Sequence, residues 1–308
     1  MSEFAFNRVA FIGIGHIGSS LAHVMRRDKL AGSIIACARR QETRDAALRI
    51  GIADEVTADP AEAVKNADLV VIATPLSAYL ETGKAIAGSL KPGAIVTDVG
   101  SVKALVAKEL LPLLPKDVHV VPGHPIAGTE NSGPESGFAE VFRNRWCILT
   151  PLPDGDATAL DRVTKLWESA GMNVVTMDAE HHDMVLAITS HLPHLIAYTI
   201  VGTATDLEDT LKSEVIKFSA SGFRDFTRIA ASDPVMWRDI FLNNRDAVLE
   251  MLQRFTEDLT ALQRAIRHGE GDKLQDLFTR TRAIRRSIIA EGQDDARPDF
   301  GRSDHKAG

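Results

Sequence analysis

Arg8-Val9-Ala10-Phe11-Ile12-Gly13-Ile14-Gly15-His16-Ile17-Gly18 is the stretch that decides the fold. An apolar run suited to a buried strand enters a glycine loop, and residues 21–27 beyond it have helical composition. A lone G-x-G-x-x-G is a weak signal, but between the first strand and first helix of a chain it reads as the phosphate-binding turn of a dinucleotide fold. In that reading Gly13 allows the tight turn, Gly15 lets backbone approach a pyrophosphate, and Gly18 permits close contact between helix and strand. Ile14, His16 and Ile17 complete the loop, and the helix N-terminus faces the phosphates. The alternative is a glycine-rich turn without a ligand.

Working outward, a second strand is predicted over residues 33–38, and an NAD site places an acid at its end to grip the ribose. Here the chain runs Ala38-Arg39-Arg40, with Glu42 the nearest acid. Two guanidiniums suit a 2′-phosphate, so the expected cofactor is NAD(P), with NADP favoured over NAD. Arg39 stacked on the adenine would instead serve both cofactors equally, and both arginines are also compatible with solvated surface.

Helix over 61–66, strand over 69–73, helix over 78–90 and strand over 95–98 continue the alternation. Strands so continuously apolar belong to a parallel sheet covered on both faces. Thr74 and Gly100-Ser101 follow strand ends on the edge where such sheets bind ligands, which makes them candidates for cofactor contact. Ser101 is then a second hydrogen-bonding group beside the nicotinamide, or an ordinary helix N-cap. A short strand over 118–121 leads into Gly123-His124-Pro125-Ile126-Ala127-Gly128-Thr129-Glu130, a loop expected to present His124, Thr129 and Glu130 rather than pack them. Strands over 146–150 and 173–177 close the sheet.

From Asp178 the strand signals vanish. Asp178 reads as the N-cap of a helix through residue 203, with Ile188, His191, Leu192, Leu195, Ile196 and Thr199 on one face and a kink at Pro193. Two further helices carry apolar seams, one from Val248 to Ile266 and one from Leu274 to Ile288. The expected fold class is therefore α/β: a Rossmann-type, doubly wound, mostly parallel sheet over residues 1–177, then an all-α substrate and dimerisation domain over 178–290. A polar tail, 291–308, is expected to be disordered. Seams of that length call for a homodimer, unless they pack only onto the nucleotide-binding domain.

Composition narrows the partners. The 308 residues carry a formal charge of −7, which argues against nucleic acid or an anionic membrane and leaves a small-molecule substrate. No apolar run approaches the roughly 18 residues of a membrane span, and the first residues lack a signal-peptide pattern. Cys37 and Cys147 both fall in strand-like runs, so neither a disulfide framework nor a zinc site is expected, and the chain reads as cytoplasmic.

Candidate binding residues lie in the helical part. Arg224 and Arg228, four apart, are placed to share a helix face and grip carboxylates. His191 and His194 are three apart; the pair reads as a substrate contact or a structural crease between domains. No carboxylate of ligand spacing accompanies them, so no metal is expected.

Gly13-Ile14-Gly15-His16-Ile17-Gly18, Val99-Gly100-Ser101-Val102-Lys103, His124-Pro125-Ile126-Ala127-Gly128-Thr129-Glu130, Ser190-His191-Leu192-Pro193-His194 and Gly222-Phe223-Arg224-Asp225-Phe226-Thr227-Arg228-Ile229-Ala230 together resemble the prephenate/arogenate dehydrogenase family. The match runs in order through nearly the whole chain. The resemblance implies NAD(P)-dependent oxidative decarboxylation of prephenate or arogenate, to 4-hydroxyphenylpyruvate or tyrosine. It implies His124 as the catalytic histidine, Ser101 orienting His124 and the nicotinamide, and Arg228 holding the ring carboxylate. His191, His194 and Gly222 would line the side-chain end, and Trp237 would reach in from the partner subunit. Glu130, Asp183, Arg224 and Asp225 would form a polar network at the entrance. Two departures stand out: Arg224 replaces a common lysine, and Ala38 replaces the aspartate of NAD-dependent members. The competing readings are a β-hydroxyacid dehydrogenase, for which Lys212 and Lys217 are the available lysines, and a nicotinamide-binding regulator without turnover.

Overall fold

The computed structural model describes residues 4–129, 131–206, 217 and 221–290. β1 (Phe6–Ile12) runs into α1 (His16–Arg27), followed by β2 (Ala31–Cys37), α2 (Gln41–Arg49), β3 (Glu55–Thr57), α3 (Pro60–Ala63), β4 (Leu69–Ile72), α4 (Tyr79–Ile86), β5 (Ile95–Asp98) and β6 (His119–Val121). The six strands form one parallel sheet in the order β3-β2-β1-β4-β5-β6. Every residue of β4 and β5 is buried, as expected for strands covered on both faces. Phe11, Leu21, Met25 and Trp167 pack one face, and Ile12, Ile72, Tyr79 and Val96 the other. The strand order reverses between β1 and β4, and the crevice beyond their carboxyl ends is where such sheets take dinucleotides.

A separate sheet corrects the sequence reading. β7 (Gly123–Pro125), β8 (Trp146–Leu149) and β9 (Asn173–Thr176) form their own three-stranded sheet, with β7 antiparallel to β8 and β8 parallel to β9. The strands over 146–150 and 173–177 therefore do not close the first sheet, and His124 is not in a loop: it sits in β7 opposite Ile148. Pro122 is the cause. It has no N–H to extend the first ladder, and its carbonyl accepts from Thr150 N at 3.0 Å, which turns the chain onto β8. His124 is consequently packed rather than presented, with 9% of its surface exposed.

α5 (Ala157–Ser169) covers the second sheet, and beyond β9 the chain is helical. Asp178 caps the next helix as expected, accepting from His181 N at 2.7 Å. The helix runs from α6 (Ala179–Leu186) into α7 (Leu192–Thr205) through a π turn over Ala187–His191, where Leu192 N–H reaches back to Ala187 O. The widened turn stands just ahead of Pro193, which cannot donate to an i−4 carbonyl. It also rotates the faces: Ile188 is 48% exposed while His191 is 1% exposed, so the two do not share the single face that a uniform helix gives. At 27 residues and mean hydropathy 1.5, Ala179–Thr205 is long and apolar enough to cross a membrane, contrary to the count of uninterrupted apolar residues. Its buried polar residues His182, Asp183 and His191 bond to His124, Lys103 and Asn244, which ties this helix to the protein.

The helix Ser221–Thr227 passes into a 3-10 turn, Arg228–Ala231, and the helices Pro234–Asn243, Arg245–Arg267 and Gly271–Ala290 follow. The chain packs as two compact units, Met1–Leu249 and Glu250–Gly308. Leu249, Leu259 and Ile266 of the first seam, and Phe278 and Ile284 of the second, are exposed within the single chain. The tail 291–308, Glu130 and Lys212 lie outside the described residues.

Candidate active site

The glycine loop fits a dinucleotide. Gly13 has φ +89°, and a Cβ there would stand 2.5 Å from Ala73 O, so only glycine is tolerated. A Cβ on Gly15 would meet nothing within 4 Å, and Gly15 caps α1 without a side chain, which leaves the first-turn N–H groups turned toward an open face. Gly18 lies close under Gly13 O and Ala73. Thr74 Oγ1, just past β4, is buried with no hydrogen-bond partner. Ile14 and Ile17 pack with the core, so their contribution to the loop is backbone. His16 Nδ1 lies 3.0 Å from Ser136 Oγ, whose hydroxyl already donates to Gly133 O at 2.8 Å. His16 Nδ1 is therefore the donor, and its buried Nε2 is a bare acceptor. Arg39 and Arg40 are exposed beyond β2. A third arginine braces them: Arg44 donates to Ala38 O at 2.6 Å and Arg39 O at 2.9 Å.

Beyond β5 lies a buried ion pair. Lys103 Nζ meets Asp98 Oδ2, both fully enclosed, and also donates to Gly123 O at 2.6 Å. Asp98 further accepts from Tyr79 OH at 2.8 Å, Gly100 N at 2.9 Å and Gly123 N at 3.2 Å. A charge pair survives burial only when its remaining donors and acceptors are satisfied, and here they are. Both backbone groups of Gly123 are thus held, which fixes the residue before His124. Gly100 makes this possible: a Cβ there would fall 2.3 Å from Tyr79 OH. Gly100, expected at the cofactor, therefore has a packing duty of its own.

His124 Nδ1 lies 2.9 Å from His182 Nε2, and His182 Nδ1 lies 2.7 Å from Asp183 Oδ1. Asp183 also accepts from Lys103 N at 2.7 Å and Ala104 N at 2.9 Å. Asp183 is thus buried beneath the base and is not part of an entrance network. Ser101 makes no hydrogen bond to His124; the ring's partner is His182. Burial above all, with the Lys103 charge adding to it, holds His124 well below the ordinary histidine value of 6.5.

The histidine pair lies along the same helix. Asn244 Nδ2 donates to Asp183 O at 2.7 Å and to His191 Nδ1 at 3.0 Å, so the neutral His191 carries its proton on Nε2, which is buried and unpartnered. Burial lowers His191 to about 4, so it is neutral at pH 7. His194 has the opposite tautomer: Nδ1 donates to Ser190 O at 2.8 Å, leaving Nε2 bare. Burial and the nearby Arg228 charge lower its pKa. Trp237 stacks on His194 at 3.7 Å within the same chain and is buried against the nucleotide-binding core. Arg228 begins the 3-10 turn and Arg224 lies in the helix before it, so the even helical spacing expected between them is broken. Arg224 is exposed beside Asp225 at 3.5 Å, and Gly222 is exposed. Lys217 is helical and exposed.

Sequence reasoning missed His182, Asp98, Tyr79 and Asn244. One signal was available: His182-Asp183 is a polar pair on the buried side of an otherwise apolar helix.

Comparisons with known proteins agree with this geometry. The family model for the prephenate dehydrogenase nucleotide-binding domain matches residues 21–176, and that for the prephenate dehydrogenase dimerisation domain matches residues 178–280. The chain is 41% identical to the cyclohexadienyl dehydrogenase of Zymomonas mobilis over 92% of its own length and 96% of that protein's. It is 34% identical to the prephenate dehydrogenase of Bacillus subtilis, over 88% of this chain and 72% of that one. Among solved structures, prephenate dehydrogenase from Aquifex aeolicus, in complex with hydroxyphenyl propionate and NAD+, superposes with a TM-score of 0.86 at 34% identity, covering 93% of this chain and all of that one (100%). Both family models and these relatives cover the nucleotide-binding and helical parts of the chain, and the chain belongs to the prephenate dehydrogenase family.

Proposed function

We propose that this chain oxidises and decarboxylates prephenate and arogenate, with His124 as general base. Family membership gives the reaction class: a prephenate/cyclohexadienyl dehydrogenase of tyrosine biosynthesis, an oxidoreductase that binds a nicotinamide dinucleotide. The observation that carries the residue assignment is a buried His124 with a lowered pKa, bonded to the helix that also carries His191 and His194. A neutral imidazole is a suitable base near pH 7.

His124 Nε2 takes the proton of the ring hydroxyl as hydride leaves the same carbon, and returns it to the phenolic oxygen once the ring carboxylate departs as carbon dioxide. A nicotinamide dinucleotide would supply the hydride acceptor when bound. Gly13 to Gly18, Thr74 and Ser101 would hold it, and Arg228 would hold the departing carboxylate. Aromatisation drives the step. His191 Nε2–H is a donor and His194 Nε2 an acceptor. A donor suits the keto or carboxylate oxygens of prephenate, and an acceptor suits the ammonium of arogenate, so the pair serves both substrates. In this reading Gly222 lines the side-chain end with the two histidines, and Arg224 stands at the entrance.

For the cofactor, Ala38 with Arg39, Arg40 and Arg44 supports NADP over NAD. The NAD+ in the Aquifex aeolicus relative weighs the other way. The division at residue 177 follows the change from strands to helices, and the exposed seams support a homodimer through the helical part. Two buried free thiols, Cys37 and Cys147, suit a reducing cytoplasm.

Steady-state rates with prephenate and arogenate, each with NAD and NADP, test the proposal. Turnover of both substrates is expected, with the higher specificity constant for NADP. No reduction of either nicotinamide with either substrate contradicts the reaction, and a higher specificity constant with NAD overturns the cofactor reading alone.

A further inference from the structure

The hydrogen bonds beneath His124 determine where its proton sits. Asp183 accepts from two backbone N–H groups, Lys103 N at 2.7 Å and Ala104 N at 2.9 Å, so its oxygens act as acceptors only. His182 Nδ1, 2.7 Å from Asp183 Oδ1, must then be the donor. In neutral imidazole the other nitrogen carries no proton, so His182 Nε2 accepts. The group facing it at 2.9 Å is His124 Nδ1, which must donate. His124 Nε2 is left bare. The tautomer is set without a bound ligand, because each hydrogen bond is fixed by the one below it, down to two backbone amides.

We infer that His182 and Asp183 are positioning residues, which lock His124 in the one tautomer whose Nε2 is free to take the substrate's hydroxyl proton. The role of these two residues toward substrate rests on the dehydrogenase reading; the tautomer does not. A different proton count would undo the lock. A protonated His182 would turn its Nε2 into a donor, and His124 would have to accept on Nδ1 and carry its proton on Nε2, where it blocks the reaction. The surroundings oppose that state. His182 is completely buried, and burial above all, with the Lys103 charge, lowers its affinity for a proton by more than the hydrogen bond to Asp183 and the charges of Asp183 and Asp98 raise it. When His124 becomes an imidazolium during turnover, its Nδ1–H continues to donate to His182 and the row of bonds to Asp183 stays intact. The same bonds join three separate elements: β7, the segment after β5 that carries Lys103 and Ala104, and the helix Ala179–Thr205.

The test combines a tautomer measurement with a pair of variants. Full-length protein labelled with 15N at histidine is examined by NMR near pH 7.5 without substrate, with His124→Asn and His182→Gln used for assignment. Both rings are expected to be neutral, protonated on Nδ1 and bare on Nε2. A His124 protonated on Nε2, or averaging between tautomers, overturns the inference whatever the enzyme's activity. In the kinetic arm, His182→Gln keeps an amide oxygen that accepts from His124 Nδ1, whereas His182→Phe keeps the ring shape without an acceptor. The glutamine variant is expected to retain turnover within about tenfold, and the phenylalanine variant to lose about a hundredfold, the lower end of a general-base contribution, with cofactor affinity unchanged in both. Equal losses, or no loss in either, contradict the positioning role. If the phenylalanine variant fails to fold, the tautomer of the unaltered protein still decides. Expected tautomers in a protein that turns over neither substrate would sink the dehydrogenase reading and leave the hydrogen-bond row standing.

Discussion

The two ends of the site are built in opposite ways. Around His124 the polar groups are buried and matched: Asp98 has donors on both oxygens, Lys103 has two acceptors, and the row from His124 to Asp183 ends on backbone amides. Around Arg228 the chain is a short helix and a 3-10 turn with exposed arginines and an exposed glycine. The contrast follows from the tasks. A proton that moves between two fixed atoms needs a ring held in one orientation and one tautomer, and only buried partners enforce that. In the proposed function Arg228 meets a carboxylate that arrives from solvent.

The sharpest way to break the comparison is at the base. His124→Asn is expected to lower the rate at saturating substrate by about two to four orders of magnitude, with cofactor affinity nearly unchanged. Near-normal turnover in that variant removes His124 from the chemistry.

Stability separates the two ends next. Lys103→Met leaves Asp98 as an uncompensated buried charge, and a loss of about 3–5 kcal/mol in urea unfolding is expected. Arg224→Ala removes only an exposed pair with Asp225, and should stay within about 0.5 kcal/mol of the parent. Similar losses in the two variants would erase the distinction drawn here.

Arg228→Ala sharpens the comparison from the binding side. Loss of a carboxylate partner is expected to weaken substrate by about 2 to 5 kcal/mol, read as a higher dissociation constant in titrations with a substrate analogue and as a raised KM. Unchanged affinity would hand the carboxylate to another cation.

What the sequence reveals divides along the same line. The strand, glycine loop and helix at residues 8–27 are legible because local sterics dictate them: a positive φ at Gly13 and a close approach at Gly18 leave few other residues possible. His124 is legible by its motif. Its setting is not, because the break at Pro122 depends on β8 being there to pair with, and that pairing joins residues far apart in the chain. His182 stands 58 residues from His124, and no periodicity announces that a helix will cross beneath a strand there. The exposure of Ile188 is hidden for a related reason: uniform helical spacing does not foresee a π turn ahead of Pro193. Arg224 and Arg228 share one face only on a continuous helix, and a 3-10 turn begins at Arg228 instead.

The most direct test of the central claim, that His124 waits as a neutral base, is the pH dependence of kcat/KM, which reports the free enzyme. Burial lowers His124 below 6.5, and His182, Lys103 and His191 further disfavour its protonation, while Asp183 and Asp98 lie one bond further back, behind His182 and Lys103. A histidine with a lowered pKa stays in its basic form as pH falls, until the pH passes that lowered value. kcat/KM is therefore expected to hold level from pH 8 down to pH 6.5, the ordinary histidine value, and to fall only below it. An acid limb centred at or above pH 6.5 would show a solvated, ordinary histidine and contradict the account.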